Sequence, residues 1–226
     1  MTEFKLIYWP MAGRGEYIRL MLVLAGKDWQ EVNDPTEVVK LTKGGQTPGF
    51  PAYAPPVLVH NGSLTISQTP SIQEYLAGLF GMLPESAAEV AVARSLNLTM
   101  HDFILEGNLN YHMKDFHADY LDQKEYTEPF IKEFCDKRLF LFFDYFDRAL
   151  KQNEGEYMFA GLTYVDVTLY HLMCVVKSDQ FCDWTKITQK FPKLCQHWQR
   201  MDANEKIKQY KISEKMKYKL QGYSFM

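Results

Sequence analysis

Apolar and polar residues alternate over residues 4–9, and this two-residue period predicts a short strand. The spacing then changes, and residues 16–25 place their apolar side chains on one face of an amphipathic helix. Residues 29–32 resemble a second strand, and residues 35–43 a second helix. The chain therefore begins with a βαβ unit and a further helix.

A hairpin and a helix are predicted next. The apolar segments 57–60 and 64–67 flank Asn61-Gly62-Ser63, and Asn-Gly is a strong turn signal between strands. Thr69 and Pro70 suit the cap and the first position of a helix that ends near residue 80. The order after the βαβ unit and its helix is therefore ββα.

Strand signals nearly vanish after residue 85. Helical patterns cover residues 86–115, 124–152, 163–178 and 188–210, and Thr163 and Asp166 have the spacing of a capping box. The segment GMLPES, residues 81–86, supplies the glycine and proline of a boundary. We therefore predict two domains, residues 1–83 and 84–226, with a polar, basic tail from residue 211 lying across the surface.

Composition and charge narrow the classes of partner. The 226 residues are 46% hydrophobic, which is enough for a substantial core, and the formal net charge of −3 gives no basic field for nucleic acid. The longest early apolar run, residues 20–26, is too short to span a membrane, and the N-terminus does not resemble a secretory signal. We predict a soluble, cytoplasmic protein.

The four cysteines all follow residue 134 and have no CxxC spacing, and the six histidines show no zinc spacing. This argues against a metal knuckle and against a redox pair, so no metal is predicted and the cysteines are expected to be buried or idle thiols.

The loop after the first strand carries the first candidate chemistry. A tyrosine at the carboxyl end of a strand, here Tyr8, projects its hydroxyl into the crevice where ligands of α/β folds bind. Gly13 and Gly15 allow a close approach of backbone and ligand, and the fork of Arg14 can orient a carboxylate or brace a domain junction. On these residues alone, a sheet aromatic and a solvated loop charge remain an open alternative.

Two later features suit a short peptide ligand. Pro56 directly precedes a strand, which fits a cis peptide that leaves an edge strand free to pair with an extended peptide. Gln68 and Thr69 stand at a helix N-terminus, where free N–H groups and the helix dipole favour a carboxylate. A peptide with a strand-like middle and a free carboxylate at one end is the indicated ligand.

Three segments in this order carry a family resemblance: YWPMAGRGEYIRLMLVLAG, PPVLVHNGSLTISQTPSIQEYLA and GLTYVDVTLYHLM. They resemble cytosolic glutathione transferases of the tyrosine-type classes, the pi, mu, alpha and sigma branch. The resemblance implies an α+β thioredoxin-like N-terminal domain (βαβ-ββα) followed by an all-α C-terminal domain. It also implies a detoxifying homodimer that uses reduced glutathione as co-substrate and no prosthetic group.

The resemblance gives Tyr8 the catalytic role, because the matching tyrosine hydroxyl hydrogen-bonds the glutathione sulfur. A thiol with a pKa of about 8.5 is mostly protonated at neutral pH, and such a hydrogen bond favours the nucleophilic thiolate. Arg14 matches an arginine that supports the γ-glutamyl side and the domain interface. Val57, after the matching cis-proline Pro56, is expected to pair its backbone with the glutathione cysteine.

The remaining glutathione contacts are also implied by the resemblance. Gln68 and Thr69 match the Gln-Ser pair that holds the γ-glutamyl carboxylate. Asp102 matches an acidic residue that reaches the γ-glutamyl amine of the neighbouring subunit, although an ordinary surface carboxylate stays open. At the glycyl end the pattern departs at Ala54, where the family has glutamine, so Lys40 and Lys43 are the candidates for the glycyl carboxylate, or plain solvated lysines.

A pocket for an apolar electrophile is expected between the loop after the first strand and the first long helix. Its candidate linings are Trp9, Met11, Tyr111 and His112, with plain packing as the alternative for the last two. Phe50 or Tyr53 is a candidate for the aromatic residue that inserts into the partner subunit. Two other functions stay open: a glutathione-dependent isomerase of the prostaglandin D synthase kind, and a non-catalytic ligand-binding or structural relative.

Overall fold

The structure is a computed structural model that describes residues 3–153 and 156–217. Within these ranges the chain divides into two compact units. The first, here called the sheet unit, contains residues 3–83 and 202–217, and the second, the helical unit, contains residues 84–201 without 154 and 155. No helix in either described range is long and apolar enough to cross a membrane.

The sheet unit has four strands, which confirms the predicted mixed architecture. They are β1 (Phe4–Ile7), β2 (Trp29–Val32), β3 (Val57–His60) and β4 (Leu64–Ser67). Their order in the sheet is β2-β1-β3-β4; β1 and β2 are parallel, and the other pairs are antiparallel. The prediction that Pro56 opens an edge strand is wrong, because β3 lies between β1 and β4 and is paired on both sides.

Three helices of the sheet unit follow the predicted pattern, except that the third starts one residue early, with Gln68 instead of Thr69 at the cap position. They are α1 (Gly15–Ala25), α2 (Pro35–Leu41) and α3 (Thr69–Phe80). α1 and α3 both end at a glycine in the left-handed conformation, with φ of 66° at Gly26 and at Gly81. α2 ends two residues earlier than predicted, before the Gly44-Gly45 pair.

A small apolar core supports one side of the sheet. Residues from β1, β3, α2 and the loop before β3 form it: Ile7, Val38, Ala52, Val57 and Val59. Trp9, Val32 and Leu41 pack against this cluster and are partly buried. The core therefore joins the two central strands to α2 and to the loop that precedes β3.

The described residues of the helical unit form helices and no strand, as the loss of strand signals predicted, but they form six α-helices where the sequence indicated four helical stretches. They are α4 (Ala87–Tyr111), α5 (Tyr120–Glu133), α6 (Leu139–Gln152), α7 (Tyr164–Ser178), α8 (Trp184–Lys190) and α9 (Pro192–Asp202), and a π-helical segment (Phe134–Arg138) joins α5 to α6. The capping box at Thr163 and Asp166 is confirmed. The pattern predicted over 188–210 is broken, because Pro192 starts one helix and the Asn204 side chain caps the next.

The last described helices, α10 (Glu205–Ile212) and α11 (Glu214–Lys217), belong to the sheet unit. Lys206 Nζ donates to the carbonyl of Leu24 at 2.6 Å, and the Tyr210 hydroxyl donates to the Glu16 carboxylate at 3.2 Å. These contacts fasten α10 to α1. The predicted course of the tail after Lys217 lies outside the described residues.

Candidate active site

Tyr8 directly follows β1 and extends its pairing, because its backbone N–H donates to the Val32 carbonyl at 3.0 Å. Its side chain is buried, with 6% of its surface exposed. The backbone N–H of Arg14 donates to the Tyr8 hydroxyl oxygen at 2.8 Å. Because this oxygen is the acceptor, the hydroxyl keeps its own proton for another partner.

The protonation state of Tyr8 suits a hydrogen-bond donor. Burial raises the pKa of Tyr8 above its ordinary value of 10.0 and outweighs the Arg14 N–H and the Arg19 charge, which act in the opposite direction. The phenol therefore stays protonated at neutral pH. A thiolate that meets this hydroxyl would receive a hydrogen bond.

The glycines of the loop make room for the Tyr8 ring itself. A Cβ at Gly13 would lie 2.5 Å from the Tyr8 hydroxyl oxygen, and a Cβ at Gly15 would overlap Cδ1 of the ring. Gly13 also has a φ of 38°, in the region that favours glycine. Sequence reasoning assigned these glycines to the approach of a ligand, whereas the closest approach that they allow is that of the loop to Tyr8.

The side chain of Arg19 binds the backbone of the same loop. Sequence reasoning did not identify Arg19 as a site residue. It is fully buried in α1, and its guanidinium donates to the carbonyls of Met11 at 3.0 Å and Ala12 at 3.3 Å. Nε donates to Glu31 at 2.9 Å, and an amino group pairs with Glu16 at 3.2 Å.

These carboxylates keep Arg19 charged. Burial alone would lower the pKa of Arg19, but Glu16 and Glu31 together raise it. The guanidinium carbon lies 5.7 Å from the centre of the Tyr8 ring. The signal in the sequence was a charged residue between the apolar Ile18 and Leu20.

Strand register brings three predicted site residues to the same end of the sheet, where β1 and β4 finish and β3 begins. Ile7 pairs with Val57, and Val57 pairs with Ser67. The residues just beyond these positions, Tyr8, Pro56 and Gln68, therefore lie side by side where the strands end. Tyr8 and Gln68 follow their strands, and Pro56 precedes its own, so one ligand can meet all three.

The peptide bond between Pro55 and Pro56 is cis, as expected. Pro56 and Val57 are buried, and the ladder occupies both sides of β3. A backbone contact from Val57 to a ligand is therefore confined to the start of this strand.

Gln68 and Thr69 form an unusual helix start. Gln68 has φ of 70° and ψ of 113°, although it is not glycine, and such a conformation costs on the order of 1–3 kcal/mol. Its side chain makes no capping hydrogen bond. Thr69 is 2% exposed, and its buried hydroxyl has no hydrogen-bond partner among the described residues. Strain and an unsatisfied hydroxyl at a helix N-terminus are typical of a site for an anionic group.

The glycyl-end candidates lie at the surface. Lys40 is on α2, half exposed, and pairs with Glu37 at 3.3 Å, whereas Lys43 lies beyond the end of α2 and is exposed. Ala54 is half-buried in the loop before β3. In the same loop, Phe50 and Tyr53 are 80% and 88% exposed, which is uncommon for large aromatic side chains.

The other predicted pocket residues have contacts within their own units. In the sheet unit, Trp9 packs on the apolar core, and Met11 is half-buried with its carbonyl bound to Arg19. In the helical unit, Tyr111 is buried and donates its hydroxyl to Asp179, and Nδ1 of His112 lies 3.2 Å from the Ala118 carbonyl. These contacts give Tyr111 and His112 a packing role, and their part in a substrate pocket stays a prediction.

Asp102 lies on α4, and its side chain is exposed. An exposed carboxylate on a long helix is available to a second chain, as the prediction requires. Its reach to a partner's ligand stays a prediction.

Comparisons with known proteins identify the family of this chain. Residues 97–214 match the family model for the glutathione S-transferase C-terminal domain. Probable glutathione S-transferase 7 of Caenorhabditis elegans is 26% identical over 215 residues, which cover 93% of this chain and 96% of that protein. Glutathione S-transferase P 2 of Bufo bufo is 26% identical over 227 residues, which cover 94% of each chain.

A solved structure agrees. The Nu-class glutathione transferase of Haemonchus contortus superposes with a TM-score of 0.68 at 27% identity and covers 93% of this chain and 96% of its own. The chain belongs to the glutathione S-transferase family, in its pi/mu-like branch. The resemblance and the fold class predicted from the sequence are thereby confirmed.

Proposed function

We propose that the chain conjugates reduced glutathione to apolar electrophiles, with Tyr8 as the catalytic residue. The observation that carries this proposal is the hydrogen bond from the Arg14 N–H to the Tyr8 hydroxyl oxygen at 2.8 Å. It fixes the phenol at the end of β1 with its own proton still available. Burial keeps that proton in place by raising the pKa of Tyr8.

The chemistry needs a thiolate. Tyr8 donates to the glutathione sulfur and so lowers the pKa of the thiol from about 8.5, while the thiol proton leaves to solvent. The sulfur then attacks an electrophilic carbon. With 1-chloro-2,4-dinitrobenzene, a C–S bond forms, the C–Cl bond breaks and chloride departs. The gain comes from sulfur activation and positioning, so reduced glutathione is the co-substrate and the proposal invokes no prosthetic group.

Residues at this end of the sheet supply most of the glutathione site in this proposal. Val57 pairs with the cysteinyl backbone at the start of β3, after the cis-proline Pro56. Gln68 and Thr69 hold the γ-glutamyl carboxylate, which would satisfy the orphan hydroxyl of Thr69. Arg14 supports the same end of the ligand.

Further contacts are proposed with residues away from this end of the sheet. Lys40 and Lys43 are the candidates for the glycyl carboxylate. Asp102 serves the γ-glutamyl amine of the neighbouring subunit in a homodimer. Trp9, Met11, Tyr111 and His112 are the candidates that meet the apolar electrophile. The relatives named above are called glutathione S-transferases, which supports the same activity here. The cytoplasmic homodimer of this proposal is what the family resemblance implies.

Two measurements on the purified chain test the activity. Retention on immobilised glutathione, with elution by free reduced glutathione, tests the site for the tripeptide. A panel of halonitroarenes, epoxides and hydroperoxides then tests transfer, and we expect turnover with 1-chloro-2,4-dinitrobenzene. Retention without turnover on any member of the panel would contradict conjugation and favour a binding role. A prostaglandin endoperoxide is assayed beside the panel. Turnover of this compound without turnover of any panel member would favour the isomerase.

A further inference from the structure

Two cysteines far apart in the sequence meet inside the helical unit. Cys135 lies in the π-helical segment between α5 and α6, and Cys182 lies in the connection between α7 and α8. Their Sγ atoms are 2.8 Å apart, although the residues are 47 positions apart. Cys135 is buried, and Cys182 is partly exposed as a residue, although its sulfur belongs to a buried cluster. The absence of a CxxC spacing argued against a redox pair, but spacing does not reveal a pair that only the packing of helices brings together.

A carboxylate lies beside the two sulfurs. Asp179, Cys135 and Cys182 each offer a ligand atom, and these atoms all lie within 4.8 Å of one another. One Asp179 oxygen accepts the hydroxyl of Tyr111, and the other accepts the Phe181 N–H at 2.9 Å. The hydrogen bond to Cys135 and burial raise the pKa of the Cys182 thiol, so this thiol is protonated at neutral pH.

The geometry distinguishes a metal site from a covalent bond. Two thiolates on a tetrahedral zinc ion, with Zn–S of about 2.3 Å, are separated by roughly 3.8 Å. At 2.8 Å the two sulfurs leave no room for an ion between them. The cluster also offers three protein ligands, one fewer than a closed structural zinc site uses. A disulfide, with S–S of about 2.05 Å, needs only a small further approach.

We propose that Cys135 and Cys182 form a reversible disulfide by exchange with a small-molecule disulfide such as glutathione disulfide. Cys182, the more exposed of the two residues, reacts first: it loses its proton, its thiolate attacks glutathione disulfide, the S–S bond of that molecule breaks, and the departing glutathione takes up that proton. Because the pKa of the Cys182 thiol is raised, this exchange should be slow at neutral pH and faster at alkaline pH. The Cys135 sulfur then attacks Cys182 in the mixed disulfide. The second glutathione leaves with the Cys135 proton, so two protein thiols are oxidised and one glutathione disulfide is reduced to two glutathiones.

The bond would fasten the α5–α6 junction to the α7–α8 connection. Such a cross-link limits the unfolded chain more than the folded chain, because it closes a long loop between distant residues. The midpoint of thermal unfolding should therefore rise on the order of 5–10 °C in the oxidised chain.

The experiment uses the full chain, first reduced and freed of reductant, then incubated with excess glutathione disulfide. After acid quenching, denaturation and alkylation with N-ethylmaleimide, mass spectrometry counts the free thiols. The described chain has four free cysteines, so we expect two alkylated thiols after oxidation and four before it. Peptide mapping should give a linked pair of Cys135 and Cys182. The double variant Cys174→Ala/Cys195→Ala is the matched control, and it should form the same link.

Two variants keep the proposal falsifiable if one of them fails to fold. Cys135→Ser and Cys182→Ser should each abolish the linked peptide and the rise in unfolding midpoint. Four alkylated thiols in the parent after oxidation, or a linked pair of other cysteines, would overturn the proposal. One zinc ion per purified chain, absent from Cys182→Ser, would also overturn it and assign the cluster to a metal.

Discussion

The backbone N–H of Arg14 donates to the hydroxyl oxygen of Tyr8 over 2.8 Å, which joins the residue before α1 to the residue after β1. In this contact the phenol oxygen accepts a hydrogen bond, so the hydroxyl proton remains free to be donated to a ligand. The contact also depends on two glycines beside the ring and on a buried arginine behind the loop. Each of these supports can be removed separately, and each removal has a distinct expected effect.

Gly15→Ala should displace the Tyr8 ring, because the new Cβ would overlap Cδ1 of that ring. We expect turnover with 1-chloro-2,4-dinitrobenzene to fall at least tenfold, since a small misplacement of a catalytic group is costly. Gly78→Ala is the matched control. Its Cβ would meet nothing closer than Leu83 at 3.8 Å, and alanine in the interior of α3 should stabilise the fold by about 0.5–1 kcal/mol. Equal activity of the parent and Gly15→Ala would contradict this role of the glycine.

Arg19→Met should destabilise the fold by about 3–5 kcal/mol, because it leaves the buried Glu16 carboxylate and the Glu31 carboxylate without their cation. Urea unfolding measures the change in the free energy of unfolding. Arg148→Met removes an exposed arginine that pairs with Asp144, and it should have little effect. A loss for Arg19→Met no larger than that for Arg148→Met would show that the buried network is not a support of the loop.

Thr69→Val should separate binding from stability. The Thr69 hydroxyl is buried without a partner among the described residues, so its removal should leave the free energy of unfolding unchanged or slightly higher. The loss of a hydrogen bond to a carboxylate should weaken glutathione binding roughly tenfold by calorimetry.

Thr168→Val gives the opposite pattern. Its hydroxyl donates to Asn97 at 2.6 Å in the helical unit, so stability should fall and glutathione affinity should persist. If Thr69→Val binds glutathione as tightly as the parent, the γ-glutamyl carboxylate is held elsewhere.

Asp102→Asn tests the shared site. Sedimentation at micromolar concentration should give a dimer of the 26.4 kDa chain for both the parent and the variant. Removal of the charge should raise KM for glutathione with little change in kcat, because the lost contact serves binding of the tripeptide. A monomeric parent, or an unchanged KM, would refute the contribution from a partner subunit.

The sequence was informative where local chemistry determines structure. The hairpin around Asn61-Gly62 follows from its turn residues, and Pro70 marks the first turn of α3. The predicted cap is wrong, because Gln68 occupies the cap position and the Thr69 hydroxyl makes no capping hydrogen bond. The central position of β3 could not be predicted from the sequence, because strand order depends on long-range pairing that Pro56 does not encode.

The candidate site residues also differ in whether local sequence or long-range contacts reveal them. Tyr8 was found from its place at a strand end, and the family resemblance gave it a role. Arg19 was missed because a buried cation is recognised by its partners, and Glu31 is distant in the sequence. The contact of Cys135 with Cys182 was missed for the same reason.

The pKa of glutathione bound to the chain tests the central claim most directly. A pH titration of the thiolate absorbance, for the parent and for Tyr8→Phe saturated with glutathione, gives this value. We expect the parent to titrate at least one unit below about 8.5 and Tyr8→Phe to titrate close to 8.5, with a fall in turnover of about 10²-fold. Tyr75→Phe, which loses a hydroxyl bound to His60, should titrate like the parent. Coincident titrations of the parent and Tyr8→Phe would contradict the assignment of sulfur activation to Tyr8.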